Sequence, residues 1–528
     1  MKSELPGSPG HTAIADWLRA AALRDGRRVY LDDVDSGRRV TFAEVEDRVR
    51  HLANALLERG IARGDRIGIV ATDCHGYIET LWASMRIGAI FVPLNVRLTN
   101  RELADLLDHA GAKILFVSAD QASRVLGLIE RVGSLTGAIA YEPTEQSGVE
   151  DYETVLGRSS AADIRIRVED DDPLGLAFTS GTTGLPKAVV QSQRMVKWIV
   201  ATSVLGWETR AGEFYYSGAP LFHISGMAMV LMGALMNYTS VLTRRFRPDE
   251  FLELVRDRRI TSAFLVPTMI GLVLEQEKAA TYGKGLRAIH YGAAPMPVAL
   301  LHRAIEAFDC DFVQSFGAGT ESGWNCALTT EDHRRAVAGE EHLLRSVGRP
   351  APGVELRICD DDWNDVASGT VGEVVVRSDE IMSGYLGQPE ETARSMHPDG
   401  WFRAGDLAYR DEEGFIYLVD RKKDMIVRGG ENIFPAEVER VLYTYPGVLE
   451  CAVVGAPDPK WGEVPVAHLV LRAGVRPPDP QVLFDYCTRH LAKFKIPSEW
   501  RFRSSMPKTA SGKILKREIA REHRDETT

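Results

Sequence analysis

Short β-rich runs alternate with helical patterns along most of the chain, and this alternation limits the fold more than any other feature. "TFAEVEDRVRHLANALLERG", Thr41 to Gly60, offers a threonine cap, a glutamate three residues on at Glu44, apolar residues at helical spacing and a closing glycine. "DRIGIVA" is a short strand-like run, and "GYIETLWASMRIGAIFVPL" reads as helix then strand. "KILFVS", "GAIAYE", "GLAFTS" and "SAFLVP" are further apolar runs that stop at turn or cap residues. Helices that recur between short apolar strands predict an α/β fold built on largely parallel sheets.

A chain of 528 residues exceeds one ordinary domain. Near the end its texture changes. "GFIYLVDRKKDMIVRGGENI" sets a dense charged run between two strand-like runs. A helix and long strand follow in "AEVERVLYTYPGVLECAVVGAPD", then "EVPVAHLVLR", a Pro-rich turn and the helix-like "QVLFDYCTRHLAKF". A unit of about a hundred residues can fold alone. The expected boundary lies at Asp420–Lys423, giving a large N-terminal domain, 1–422, with parallel-rich sheets and helices, and a small α+β C-terminal domain, 423–528.

Charge and cysteine usage exclude some functions. A net charge of -11 argues against general nucleic-acid binding, which needs clustered cations. The six cysteines lie far apart with no CxxC pair, which suits reduced thiols in a cytoplasm rather than disulfides or zinc. The N-terminal stretch has no apolar core of a secretory signal. The longest apolar run, Gly226 to Met236, has 11 residues and is too short to span a bilayer, so a buried helix is expected there and no transmembrane segment.

"LAFTSGTTGLPKAVV" carries the chemistry. Glycines let backbone N–H groups converge on an anion, hydroxyls add donors and a lysine adds charge. Thr179, Ser180, Gly181, Thr182, Thr183, Gly184 and Lys187 supply all three. Leu185 and Pro186 stand between Gly184 and Lys187, so the stretch is not a Walker A loop. By itself it also admits a lesser reading, a Ser/Thr/Gly connector before a lysine.

Three more segments join it in order: "PLFHISG", "GWFRAGDLAYRDEEGFIYLVDRKKDMIVRGGENIFPAEVE" and "PKTASGKILKRE". Together these resemble the signature segments of the adenylate-forming superfamily, which includes acyl- and aryl-CoA synthetases. The resemblance runs from about Thr41 to Arg517. It implies that a carboxylate attacks the α-phosphorus of ATP and expels pyrophosphate, after which a thiol attacks the acyl-adenylate and AMP leaves. Two anions meet in the first step, so neutralising the developing charge is expected to be the largest catalytic contribution.

The resemblance also implies roles. Thr179 to Thr183 would hold the β- and γ-phosphates, with Lys187 supporting that loop. Lys513, in "SGKIL", would bridge carboxylate and α-phosphate; taken alone, it reads as a solvated lysine in a basic tail. Asp406 would accept hydrogen bonds from both ribose hydroxyls, with Arg421 at the ribose or phosphates. Gly292, Ala293 and Ala294, in "YGAAPMP", would line the adenine and acyl pockets, a usual place for α/β ligand sites. "FGAGTE", Phe316 to Glu321, departs from the family's aromatic–Gly–any–Thr–Glu by one residue more. Phe316 and Gly317 would still meet adenine. If Ala318 or Gly319 is the extra residue, Thr320 reaches the α-phosphate and Glu321 holds Mg²⁺; an ungapped register puts Gly319 and Thr320 there. A hard cation's preference for a carboxylate favours the first. Ala188 and Gln193 depart from the more frequent glycine and histidine.

Two different reactions at one site imply rotation of the C-terminal domain, with Lys423 at the hinge. Gly429, Gly430 and Glu431 would then face a pantetheine arm, with Trp461 near the CoA nucleotide. His223 would stand beside the reacting carboxylate, with Gly226, Met227 and Met229 forming an apolar pocket wall. No cation obviously awaits a second carboxylate, so the expected substrate is a hydrophobic monocarboxylic acid: a medium- or long-chain fatty acid, or an aromatic or alicyclic acid. The expected reaction consumes ATP and CoA with Mg²⁺, and a homodimer is an open expectation. Alternatives are loading of a carrier-protein phosphopantetheine and a catalytically inactive nucleotide- or acyl-binding regulator.

Overall fold

The computed structural model describes residues 13–164, 166–179, 186–508 and 514–527, without the side chains of 524–527. Ser180 to Gly184 and Lys513 therefore lie outside the described residues. The chain divides into two compact units, one of residues 1–334, 350–355 and 377–400, the other of 335–349, 356–376 and 401–528. The strands Phe402–Arg410 and Ile416–Arg421, on the N-terminal side of Lys423, thus group with the second unit.

The first unit holds two large mixed sheets. Among the described residues one has eight strands, six of them parallel, closed at one edge by the antiparallel strands Lys187–Ser192 and Gly384–Tyr385. The other has six central parallel strands, including Ser262–Leu265, Ala288–Gly292 and Asp311–Phe316. Helices cover the sheets, as expected where parallel strands are buried on both faces. Helix Phe42–Glu58 starts at the capping box read from the sequence: Thr41 accepts from the Glu44 N–H and the Glu44 carboxylate accepts from the Thr41 N–H. The apolar run around Gly226–Met236 is helix Ile224–Met236, with ten residues buried. No described helix is long and apolar enough to cross a membrane.

The second unit is α+β. One antiparallel sheet contains Phe402–Arg410 and Ile416–Arg421. A second sheet is built on the long hairpin Val448–Asp458/Gly462–Leu471. Helix Pro435–Tyr443 packs its Val438 and Leu442 into a core shared with Val453, Leu469 and Leu483. Helix Lys516–Thr527 packs Ile519 beside Val454 and Met506.

Candidate functional site

Strands Pro173–Thr179 and Lys187–Ser192 are antiparallel, with Thr179 opposite Lys187. Residues 180–185 between them lie outside the described residues. Lys187 pairs with the Glu391 carboxylate and stands 4.7 Å from the centre of the Tyr385 ring. The hydrogen bond from Lys187, and then its charge, hold the Glu391 carboxyl below its usual range against some burial. Burial, and next the Glu321 carboxylate, push the Tyr385 hydroxyl upward. Lys187, Tyr385, Glu391 and Glu321 thus occupy one neighbourhood. Sequence reasoning missed Tyr385 and Glu391; "QPEET" signals only a helix start with proline at its first position.

Strand ends supply the next group. Gly292 ends its strand where a Cβ would lie 2.4 Å from the Ser315 carbonyl oxygen, so only glycine fits. Ala293 follows with φ +63°, a left-handed conformation unusual for alanine and typical of strained functional turns. Ala294 is half-buried just beyond. Phe316 ends the neighbouring parallel strand. Gly317 approaches Gly323 so closely that a Cβ would lie 2.3 Å from its carbonyl oxygen.

The segment after Phe316 leaves the sheet and returns, with the Asn325 N–H bonded to the Phe316 carbonyl at 2.6 Å. Within it the Glu321 N–H bonds the Ala318 carbonyl at 2.8 Å, and Gly319 bridges Gly323. The extra residue is thus absorbed in a tight turn, with Gly319 at φ +27°. Two outside contacts fix its tip. Gln191 Nε2 donates to the Thr320 carbonyl at 3.2 Å, and the Met382 N–H to the Glu321 carbonyl at 2.8 Å.

His223 caps helix Ile224–Met236, its Nδ1 2.8 Å from Ser225 Oγ. Gly226 admits the Pro220 carbonyl, which a Cβ would meet at 2.3 Å. Met227 and Met229 are both buried. Met229 lines a small cavity with Leu221, Asp73, Ser217, Ser240 and Thr243. Ala188 is buried in its strand, and Gln193 is buried at the start of the next helix.

The second unit brings other predicted residues together. Asp406 faces Arg421 across paired strands, Nε 3.3 Å from Oδ1. Lys423 follows in the short turn Lys422–Asp424. Burial, then the Arg421 charge, lower its ammonium below the ordinary lysine value. Gly429 and Gly430 turn the hairpin Ile426–Arg428/Glu431–Ile433 with φ of +58° and +89°, the pattern of a type I′ turn. The exposed Glu431 begins the return strand. The Gly429 N–H donates to the Trp461 carbonyl at 2.7 Å, and a Cβ there would lie 2.7 Å from the indole. Trp461 is 41% exposed, with Lys460 Nζ 4.8 Å and the Arg428 guanidinium 5.7 Å from its ring.

Among the described residues beside Lys513, Lys508 bridges Ile514, and the Leu515 N–H donates to the Pro507 carbonyl at 2.8 Å. Lys516 just beyond is 2.7 Å from Glu439 Oε1. Burial opposes the Lys516 charge, but Glu439 and Asp420 outweigh it and raise the ammonium above its ordinary value.

Comparison with known proteins gives the family of the fold. Residues 18–386 match the model of the AMP-binding enzyme family, and residues 437–513 match that of the AMP-binding enzyme C-terminal domain. A feruloyl-CoA synthase of Amycolatopsis sp is 36% identical over 487 residues, covering 92% of this chain and 94% of that protein. A fatty acid–[acyl-carrier-protein] ligase of Streptomyces coeruleorubidus is 34% identical over 491 residues, 92% and 91% of the two chains. The o-succinylbenzoate-CoA synthetase of Bacillus subtilis, solved with its acyl-adenylate intermediate, superposes with a TM-score of 0.83 at 29% identity, covering 96% and 97%. The chain belongs to the AMP-binding, adenylate-forming enzymes.

Proposed function

We propose that the protein is an AMP-forming carboxylate–CoA ligase acting on a hydrophobic monocarboxylic acid. ATP and the acid form an acyl-adenylate and pyrophosphate; CoA thiolate then attacks the acyl carbon, and the bridging oxygen leaves with AMP. Thr179 to Thr183 hold the β- and γ-phosphates, and Phe316 and Gly317 meet adenine between Gly292–Ala294 and the turn. Asp406, with Arg421, holds the ribose. Lys513 stabilises the negative charge that builds as the carboxylate meets the α-phosphate. Lys423 is the pivot between the two half-reactions, and His223 stands beside the acyl carboxylate.

The gapped register fits the turn, since Thr320 and Glu321 share its tip with both carbonyls held from outside. No described cluster of three His, Cys, Asp or Glu residues is arranged to hold a metal. A single carboxylate still suits Mg²⁺, which commonly takes one or two carboxylates plus substrate phosphates. Glu321 would be that ligand, and the ion would neutralise phosphate charge.

One observation carries the choice of CoA as acceptor. The half-exposed Trp461, flanked by Lys460 and Arg428 beside the Gly429–Gly430 turn, offers an aromatic face and two cations. That combination suits a purine and its phosphates. The 34% identity to a carrier-protein ligase favours a second reading, with a protein-bound phosphopantetheine as acceptor. A cytoplasmic setting is part of the proposal, and six free cysteines suit it. The test is AMP release from a panel of fatty, aromatic and alicyclic acids with CoA, with a phosphopantetheinylated carrier, and with neither. Fast release with CoA alone supports the proposal; acceleration by the carrier and not by CoA replaces it with the second reading.

A further inference from the structure

Glu380 is 1% exposed, and the assignments above give it no task. Its Oε2 accepts from the backbone N–H of Trp324 at 3.0 Å, and its Oε1 lies 2.5 Å from Thr202 Oγ1. The Trp324 indole N–H donates to the same hydroxyl at 3.1 Å. Thr202 and Trp324 are themselves buried, at 3% and 7% exposure. Gly323, at φ +61°, leaves no room for a Cβ, which would lie 2.0 Å from Glu380 Oε2. Two residues after Glu380, the Met382 N–H bonds the Glu321 carbonyl at 2.8 Å.

The segment 380–382 therefore grips the turn at two points, its tip through Met382 and its return through Glu380. Removing the carboxylate would strand the buried N–H of Trp324, and a buried unsatisfied donor forces the backbone to move. Geometry alone separates this from generic packing: the bond is to main chain three residues past Glu321, and the glycine beside it is shaped to admit it. Burial pushes the carboxyl up to about 7, so a neutral acid also has to satisfy the network. It can: a protonated Glu380 donates to Thr202 Oγ1, which itself donates to the Trp198 carbonyl 2.9 Å away.

We propose that Glu380 is a positioning residue for adenylation, fixing the excursion from Gly317 to Trp324 and with it the places of Thr320 and Glu321. The inference rests on the roles proposed above for those two residues. Glutamine reproduces the neutral network, its carbonyl accepting from Trp324 and its amide donating to Thr202. Methionine matches the length and offers no acceptor.

The test uses Glu380→Gln, Glu380→Met, Thr202→Val and Glu321→Ala in the full chain. ATP–pyrophosphate exchange is measured against Mg²⁺ concentration with the best acid of the panel, and thiolysis with supplied acyl-adenylate and CoA. Glu380→Met is expected to lower exchange about tenfold or more and to raise the Mg²⁺ needed for half-maximal rate about fivefold. Thiolysis should stay within about threefold of wild type, and Glu380→Gln should keep both rates within that range. If Glu380→Met yields no folded protein, Thr202→Val carries the test, with a smaller rise in the Mg²⁺ requirement expected. Equal losses in exchange and thiolysis, equal losses in the Gln and Met variants, or an unchanged Mg²⁺ requirement in the folded variant would overturn the inference. Exchange that survives Glu321→Ala would instead overturn the underlying role of Glu321, a distinct outcome.

Discussion

Arg421 Nε lies 3.3 Å from Asp406 Oδ1 across two antiparallel strands, with the aspartate 6% exposed and the arginine side chain 49% exposed. A carboxylate set at this depth can accept two hydrogen bonds at once, which is what a ribose diol requires. Hydrogen bonds to a charged group contribute about 1.5–3 kcal/mol. Asp406→Ala is therefore expected to raise the KM for ATP by about tenfold or more, with a smaller effect from Arg421→Ala at the exposed end. Steady-state kinetics with ATP varied checks this, and an unchanged KM contradicts the ribose assignment.

Gly317 and Gly127 should respond oppositely to alanine. At Gly317 a Cβ would lie 2.3 Å from the Gly323 oxygen and 2.5 Å from Trp324 Cα, both backbone atoms with little freedom to yield. Gly317→Ala should cost about 1–3 kcal/mol and slow adenylation by displacing the turn. At Gly127, inside helix Val125–Arg131, a Cβ meets nothing within 4 Å. Gly127→Ala should stabilise by about 0.4–1 kcal/mol. Denaturant titrations of both variants decide the signs.

A buried histidine pair sets an acid limit in the second unit. His468 Nε2 lies 2.9 Å from His523 Nε2, while Arg503 Nε donates to His468 Nδ1 at 2.8 Å. His468 is therefore neutral, with its proton on Nε2 and His523 accepting it. Burial, then the Arg503, His523 and Arg501 charges, lower His468 to about 3, against some help from Glu522. A depressed histidine contributes stability above its unfolded value near 6.5, lost as pH falls toward 3. Stability should drop between pH 7.5 and 5 by at most about 1.4 kcal/mol per pH unit for this group. His468→Leu together with His523→Leu should flatten that slope; an unchanged slope contradicts the assignment.

Much of the fold was legible because its signals are local. The Thr41–Glu44 capping box spans three residues, and each strand-like run carries its own apolar content. Contacts made across sequence were not legible. Glu391 meets Lys187 from 204 positions away, and Glu380 meets Thr202 from 178. No periodicity links such partners, because topology alone brings them together. The "FGAGTE" departure was visible, but its accommodation depends on Gln191, in another strand, and Met382, in a distant loop, holding the turn. The polar side of the cavity beside Leu221 was hidden for the same reason, since Asp73 lies 148 positions from the N–H it accepts.

Two substitutions should separate the half-reactions. Lys513→Ala is expected to lower ATP–pyrophosphate exchange by about 10²-fold or more, the scale of losing one charge-stabilising group, while thiolysis of supplied acyl-adenylate is largely kept. Lys423→Pro is expected to keep exchange and lose thioester formation, because proline fixes φ where a pivot must turn. Parallel losses in both half-reactions would remove these roles.

The path of one carboxylate oxygen tests the central chemistry most directly. If the acid attacks the α-phosphorus, an ¹⁸O-labelled carboxylate delivers one of its oxygens to the phosphate of AMP for each thioester formed, and mass spectrometry reads that label. Label recovered in inorganic phosphate beside ADP, or AMP released without it, would contradict the acyl-adenylate route.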